Sequence, residues 1–343
     1  MFKDNTVFVV GAGASREFGL PIGSGLMSTI KQNSLFRFDS RGLREGVREL
    51  YQALDEPNLP HSALRLRLEA MAEINRSIDF AGSIDEFINR HATDPVIAKV
   101  GKLQIAYAIS IAERQSLLGR SGKSGESVEW DDVKDTWIMP FTQMLFEGVR
   151  NEDVSSIGNN ITLIVFNYDR CIEYFLTEAI CKTFRGVDRD QALQIVENMN
   201  IIHPYGALGN LIKHPFGDDA HPTKLNSMSQ SIVTWSESVT SNMVSEINHS
   251  VSTATTLVFL GFAFAPQNMD LLTIKSAVNK DRQYVETFAT AYGYRDVIDS
   301  RLKKKIIDLY SDKNPKFNMD RIHIQYDMKC ADFLKAHSMA LVV

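Results

Sequence analysis

The chain has 343 residues, of which 44% are hydrophobic and 23% charged, which leaves enough apolar side chains to bury a sizeable core. The net charge of −5 lacks the basic excess of a dedicated nucleic-acid-binding domain, so we expect no direct nucleic-acid binding. No apolar run reaches the roughly 18 residues of a transmembrane helix, and the N-terminus lacks the pattern of a signal peptide. The three cysteines form no CxxC pair, which excludes a zinc ribbon and fits a reducing compartment. We therefore expect a cytoplasmic protein with no membrane contact.

A buried strand followed by a glycine turn is the first predicted feature. Residues Thr6–Val10 are all β-branched or aromatic, which is typical of a strand buried on both faces of a parallel sheet. The segment Gly11–Ser15 (GAGAS) follows directly, and glycines there let the backbone approach a phosphate at the start of a helix. A tight turn without a ligand is the alternative, because Arg16 occupies the third glycine position of the full dinucleotide fingerprint.

Residues 42–150 are predicted to be a helical insertion. Helical patterns cover Leu43–Ile74, Pro95–Leu118 and Val133–Val149, and they interrupt the alternation of strands and helices. We expect this insertion to lie within a single domain that spans residues 1–343.

Short strands and helices alternate after the insertion, which is typical of a doubly wound α/β sheet. The predicted fold is therefore Rossmann-like, with a parallel sheet and a helical insertion. The predicted strands are Ile161–Phe166, Asn200–Ile202, Thr255–Leu260, Tyr284–Ala291 and Arg321–Gln325, and the predicted helices are Cys171–Phe184, Gln267–Val278, Asp296–Tyr310 and Lys329–His337.

Polar residues and a glycine follow three of these strands. Asn167 and Asp169 follow the first, His203 the second and Gly261 the third, and the carboxyl ends of parallel strands are where α/β proteins bind ligands. Asn167 can donate and accept without titrating, and the pKa range of His203 suits a general base. Structural roles remain the alternatives, namely a helix cap for Asp169 and a turn or core contact for the other two.

No metal site is predicted. Two histidines and two aspartates lie close together in a Pro/Gly-rich stretch, and a solvated polar loop is the favoured interpretation for them: His214, Asp218, Asp219 and His221.

Taken in chain order, these segments resemble the sirtuin superfamily, and in particular its zinc-less bacterial branch of anti-phage defence proteins. The resemblance lies in GAGAS with the following FGLPIG (18–23), FNYD (166–169), HPYG (203–206) and LGFAF (260–264). The segment SIDEF (83–87) also resembles a recurring segment of that defence branch. The chain lacks the four-cysteine zinc ribbon of the protein-deacylating members, and Ile22-Gly23-Ser24 replaces the Asp-Phe-Arg that follows their GIP segment.

The resemblance implies an NAD⁺ hydrolase that cleaves the nicotinamide–ribose bond and depletes the cofactor during abortive infection. It implies catalytic roles for Asn167 and His203, and contacts to NAD⁺ from Gly11, Ala12, Gly13, Ser15, Pro21, Asp169, Gly261 and Phe262. No metal is implied.

An enzyme that destroys NAD⁺ has to be gated in a living cell. We therefore expect a homo-oligomer and an activator, such as a phage-derived trigger or a HerA-type ATPase subunit. Three alternatives remain: a module that senses NAD⁺ or an ADP-ribose-type nucleotide without cleaving it, an NAD-dependent protein deacylase, and a dehydrogenase.

Overall fold

The structure is a computed structural model that describes residues 1–57, 59–119, 127–234, 237, 240–274, 285–310 and 319–343. Its strands are β1 (Thr6–Val10), β2 (Arg37–Asp39), β3 (Gly42–Glu45), β4 (Ile161–Val165), β5 (Ile201–Ile202), β6 (Thr256–Leu260), β7 (Glu286–Thr290) and β8 (Ile322–Gln325). Its helices are α1 (Ala12–Ser15), α2 (Gly23–Asn33), α3 (Arg48–Leu54), α4 (His61–Ser77), α5 (Ile84–Arg90), α6 (Pro95–Gln115), α7 (Trp130–Val133), α8 (Ile138–Phe146), α9 (Cys171–Thr183), α10 (Arg189–Asn198), α11 (Pro222–Gln230), α12 (Ser241–Thr253), α13 (Pro266–Leu272), α14 (Asp299–Asp308) and α15 (Cys330–Leu341).

Six of the described strands form one parallel sheet in the order β5-β4-β1-β6-β7-β8. Counted along the chain within this sheet, the order is 3-2-1-4-5-6, which is the Rossmann order. The order reverses between β1 and β6, so the crevice outside the carboxyl ends of these two strands is the topological switch point. The predicted Rossmann-like fold is confirmed.

The sheet is covered on both faces, as the uninterrupted apolar sequence of β1 predicts. Val7 and Val9 belong to a core cluster with helices α2–α6 and α11–α14, whereas Phe8 and Val10 belong to a second cluster with α7–α10 and α15. Alternate residues of a strand point to opposite faces, so helices on both sides require both sets to be apolar.

Helices α2–α8 lie between β1 and β4, and most residues of the predicted insertion are helical. The single helical segment Leu43–Ile74 is nevertheless wrong. Its start belongs to the antiparallel β2–β3 hairpin, where Gly42 and Gly46 have φ angles of 113° and 133° that favour glycine. Its remainder is two helices, because the chain is extended at Pro60 before α4 begins.

Helix α6 is the central element of this helical region. Asp94 caps its N-terminus by accepting hydrogen bonds from the N–H groups of Val96 and Ile97, and Pro95 occupies the first turn. Among the described residues it is the one helix long and apolar enough to cross a membrane. Most of its apolar window is buried inside the protein, where it packs against α2, α4 and α11, so it has the environment of a core helix.

The later predicted strands and helices are present, with shifts of their ends. Tyr284 and residues 275–278, which fall within a predicted strand and a predicted helix, lie outside the described residues. Helices α10, α11 and α12 were not predicted. A capping box begins α10, since Asp188 accepts from the N–H of Gln191 while the Gln191 side chain accepts from the N–H of Asp188, and this spacing is visible in the sequence.

Candidate functional site

Four neighbouring strands of the sheet, β5, β4, β1 and β6, each end beside one segment that the sequence analysis singled out. Val10, Val165 and Leu260 lie in register at the carboxyl ends of β1, β4 and β6. Gly11 follows the first, Asn167 lies two residues beyond the second and Gly261 follows the third, while His203 follows β5 beside β4. The fold therefore brings these four predicted residues to one edge of the sheet, around the switch point.

The turns after β1 and β6 are packed directly against each other. A Cβ atom on Gly11 or Gly13 would lie 2.6 or 2.8 Å from the carbonyl oxygen of Gly261. The N–H of Gly13 donates to the same oxygen at 2.9 Å. Packing between backbones is thus sufficient to require these glycines, and the Gly13 N–H already has a partner.

Ser15 connects the glycine turn to the turn after β4. Its hydroxyl oxygen accepts a hydrogen bond from Nδ2 of Asn167 at 2.8 Å, and its hydroxyl also contacts the carboxylate of Asp169. The residue is only 4% exposed. In this structure Ser15 therefore positions Asn167, which is a role that the sequence did not indicate.

Asn167 presents one unsatisfied atom to the site. Its Nδ2 donates to the carbonyl oxygen of Gly11 at 3.1 Å as well as to Ser15. Because a carbonyl can only accept, these contacts determine the orientation of the amide. Its Oδ1 is buried and has no partner among the described residues, and a buried acceptor without a donor is costly. A group that bound to Oδ1 would have to be a hydrogen-bond donor, such as a hydroxyl or a water molecule.

His203 is held between the same turn and helix α9. Its Nδ1 is 3.0 Å from the carbonyl oxygen of Asn167, and its Nε2 is 2.6 Å from Oε1 of Glu173. Burial lowers the pKa of His203, but the Glu173 carboxylate and its hydrogen bond outweigh burial and raise the pKa above 6.5. Burial likewise raises the pKa of Glu173, but the charge and hydrogen bond of His203 outweigh it, so this pKa lies below 4.5.

Sequence reasoning missed Glu173. It lies in the first turn of α9, where an acidic side chain is normally explained by the helix dipole. The available signal was its nearness in the chain, because Glu173 lies at the start of the helix that follows Asn167 and Asp169.

Asp169 has the local contact expected of a residue that begins a helix. Its Oδ1 accepts from the N–H of Cys171 at 3.2 Å, one residue outside the usual capping position, which Arg170 occupies. Burial raises the pKa of Asp169, although its hydrogen bonds with Cys171 and Ser15 oppose this.

A buried ion pair lies next to the candidate site. Arg170 donates from Nη2 to Oε2 of Glu113 at 2.6 Å and from Nε to Oε1 at 3.1 Å. It also donates to the carbonyl oxygens of Gly209 and His214. The pair therefore joins α6, the start of α9 and the loop after His203, and neither of its members was singled out from the sequence.

A pocket of about 360 Å³ opens beside His203 and Glu173. Arg170 forms part of its wall, and much of the remaining wall is apolar: Leu193, Val196, Met199, Leu211 and Met243. The pocket does not include the residues of the glycine turn or Asn167 among its walls. His203 and Glu173 thus lie between this pocket and the buried Asn167.

Two other residues that were predicted to contact NAD⁺ are Phe262 and Pro21. Phe262 is 3% exposed and packs against Phe166 and Phe259, with ring centroids 5.2 and 5.5 Å apart, so it is part of the aromatic core. Pro21 is half-buried and lies just before α2, after Gly19, whose φ is 91°.

The polar residues of the Pro/Gly-rich stretch, for which no metal site is predicted, have other partners. His214 Nε2 lies 3.1 Å from the Ser227 hydroxyl, and Asp218 and Asp219 both pair with Lys224. In the described part of the chain, no group of three His, Cys, Asp or Glu side chains is arranged to hold a metal ion.

Comparison with known proteins gives no match: no protein-family model, no curated protein and no solved structure is significantly similar to this chain.

Proposed function

We propose that this chain binds NAD⁺ at the carboxyl edge of its sheet and hydrolyses the bond between nicotinamide and ribose. One observation carries the proposal. Asn167, with its free buried acceptor, and the His203–Glu173 pair lie together beside the switch point of a Rossmann-ordered sheet. That switch point is where sheets of this order bind dinucleotides.

The chemistry of the reaction suits these groups. Cleavage of a glycosidic bond passes through an oxocarbenium-like state, and nicotinamide leaves as a neutral molecule, so little acid catalysis is needed. The site has to orient the ribose, favour positive charge on the sugar and place a water molecule. Oδ1 of Asn167 would accept a hydrogen bond from a ribose hydroxyl or from that water, and the His203–Glu173 pair would accept the proton.

The diphosphate would lie against the turn after β1. Gly11, Ala12 and Gly13 would supply a close backbone surface there, as the sequence pattern indicates. Because the Gly13 N–H and the Ser15 hydroxyl already have partners, we assign them to the shape of this turn and not to direct phosphate binding.

The proposed biological role is that of an anti-phage effector that depletes NAD⁺ in the cytoplasm. Homo-oligomerisation and an activator, either a phage-derived trigger or a HerA-type ATPase subunit, belong to this proposal. They rest on the resemblance of the sequence segments to sirtuin-like defence proteins.

The test is release of nicotinamide and ADP-ribose from NAD⁺ by the purified chain, followed by chromatography. We expect Asn167→Ala and His203→Ala each to lower the rate on the order of 100-fold or more, because each removes an oriented group from the reacting centre. The matched controls are Asn151→Ala and His249→Ala, whose side chains are exposed and lie outside this site.

Calorimetric titration with NAD⁺ separates the alternatives. Binding without release, by the native chain in the presence of phage-infected cell extract, would favour a nucleotide-sensing module. No binding at all would exclude the proposed cofactor.

A further inference from the structure

Both ring nitrogens of His203 face groups that accept hydrogen bonds. Nδ1 contacts the carbonyl oxygen of Asn167 at 3.0 Å, and Nε2 contacts a carboxylate oxygen of Glu173 at 2.6 Å. A backbone carbonyl and an ionised carboxylate have no proton to donate. The pKa of Glu173 is lowered, which favours its ionised form, and with an ionised carboxylate both contacts are satisfied only when each nitrogen of His203 carries a proton.

We infer that Glu173, and not His203, is the base that takes the proton from the attacking water. In this assignment His203 is the cation that orients Glu173 and keeps it ionised. The inference rests on the proposed function and assigns the proton acceptor of that same site.

The unpartnered oxygen of Glu173 carries the inference further. While Oε1 is bound to His203, Oε2 is buried and has no partner among the described residues. Both side chains line the 360 Å³ pocket, and they retain 20% and 12% of their exposure. Oε2 of Glu173 is therefore the free acceptor of this pair beside the pocket, whereas each nitrogen of His203 is already occupied.

The surrounding charges favour the same protonation state. Asp169, at the start of α9, raises the pKa of His203, and Arg170 lowers the pKa of Glu173. Glu113 on α6 neutralises Arg170 through its own ion pair, and Glu197 on α10 lies on the wall of the pocket. Around the His203–Glu173 pair, the charge of Arg170 is thus balanced by Glu113, and the other two charged neighbours named here, Asp169 and Glu197, are acidic.

The proton balance of the step is simple. The water oxygen forms a bond to the anomeric carbon while the bond between that carbon and the nicotinamide nitrogen breaks. The electron pair of the broken bond moves to the nicotinamide ring, which leaves as a neutral molecule. One water proton passes to Oε2 of Glu173, which becomes a carboxylic acid, and is then released to solvent. The products are nicotinamide, ADP-ribose and one proton.

The first test is the pH dependence of the NAD⁺ cleavage rate together with two substitutions. If Glu173 is the base, the rate falls only as the pH drops through its lowered pKa, below 4.5, and it is flat through neutral pH. Glu173→Gln loses on the order of 100-fold or more in kcat with NAD⁺ affinity nearly unchanged. His203→Gln, which keeps a neutral donor for Glu173, loses less.

A rate that rises with pH through a pKa above 6.5, with His203→Gln as inactive as His203→Ala, would overturn the inference and make His203 the base. Glu178→Gln is the matched control, because Glu178 lies on the same helix, is buried and pairs with Arg189 outside the pocket. Equal melting temperatures exclude misfolding of the variants.

The second test needs no turnover. The ring nitrogens of His203, followed by NMR in the whole chain, should both be protonated at neutral pH in the native protein, and one should lose its proton in Glu173→Gln. A neutral His203 in the native protein would overturn the inference. Absence of NAD⁺ binding and cleavage would instead remove the proposed function, while the NMR titration would still decide the charge of His203.

Discussion

The side chains of Glu113 and Arg170 are 0% and 2% exposed, which is unusual for two full charges. Glu113 also accepts hydrogen bonds from the N–H groups of Arg170 and Gly217, so its carboxylate is satisfied by more than one partner. Such a pair is a poor source of net stability, because desolvation offsets its attraction. Its contribution is to hold the loop after His203 in one position against α6.

Breaking this pair from one side should be severe. We expect Glu113→Gln to lower the free energy of unfolding by about 3–5 kcal/mol, because a buried guanidinium is left without a counter-charge. Chemical denaturation measures the change. Arg65→Ala is the control, since the side chains of Arg65 and its partner Glu69 are 80% and 56% exposed and this pair should contribute less than about 1 kcal/mol. Similar losses in both variants would contradict this account.

At the scale of elements, the turns after β1 and β6 pack against each other at the switch point. Gly261 has a φ of 58°, and a Cβ atom there would lie 2.1 Å from the backbone nitrogen of Ala14. The Nε1 of Trp137 donates to the carbonyl oxygen of Ala14 at 3.1 Å, which holds α1 from the other side. The close approach of the two turns therefore depends on the absence of a side chain.

Gly261→Ala should therefore cost more than about 4 kcal/mol of unfolding free energy, since a backbone clash is added to the left-handed strain. Gly148→Ala is the matched control. Gly148 has a φ of 77°, but a Cβ atom there meets nothing within 4 Å, so about 1–2 kcal/mol is expected from strain alone. Equal losses in the two variants, measured by denaturant unfolding, would show that the packing of the turns does not matter.

At the scale of the whole molecule, helices α2–α6 and one face of the sheet share one continuous apolar core. A polar contact joins the same two parts: the hydroxyl of Tyr168, next to Asn167, donates to the carboxylate of Asp85 on α5. Burial raises the pKa of Asp85 to about 6, although the hydrogen bond from Tyr168 opposes this shift. The segment Ser83–Phe87, singled out in the sequence, thus contacts the strand end that carries the candidate site.

The raised pKa of Asp85 predicts a pH dependence of stability. The pKa of Asp85 is about 6 in the folded chain and 3.8 ordinarily, so the folded state binds the proton more tightly. The contribution of Asp85 is present at low pH and is lost as the pH rises from about 4 to about 6.

Asp85→Asn should accordingly be about 3 kcal/mol more stable than the native chain at neutral pH and nearly equal to it at about pH 4. Asn keeps an acceptor for the Tyr168 hydroxyl without a charge. Thermal unfolding across this pH range is the measurement, with Asp131→Asn as the control, since the Asp131 side chain is 88% exposed. A constant difference between Asp85→Asn and the native chain at every pH would refute the prediction.

The sequence by itself determined the strands of the parallel sheet, the burial of its central strands on both faces and the fold class. An uninterrupted run such as Thr6–Val10 is stable only between two layers of helices, and this local pattern does not depend on distant residues. The same reasoning failed at Gly42 and Pro60, where single residues with special backbone preferences divide a helical pattern.

Only the tertiary structure decided which groups meet at the candidate site. Asn167, His203 and Ser15 could be selected from the sequence as residues that follow strands. Glu173, in contrast, has an ordinary helix-terminal pattern, and the sequence did not indicate that Ser15 contacts Asn167. Their roles arise from contacts between segments up to 152 residues apart in the chain. Distances and unpartnered atoms belong to the packing of several elements together, and no local pattern of residues encodes them.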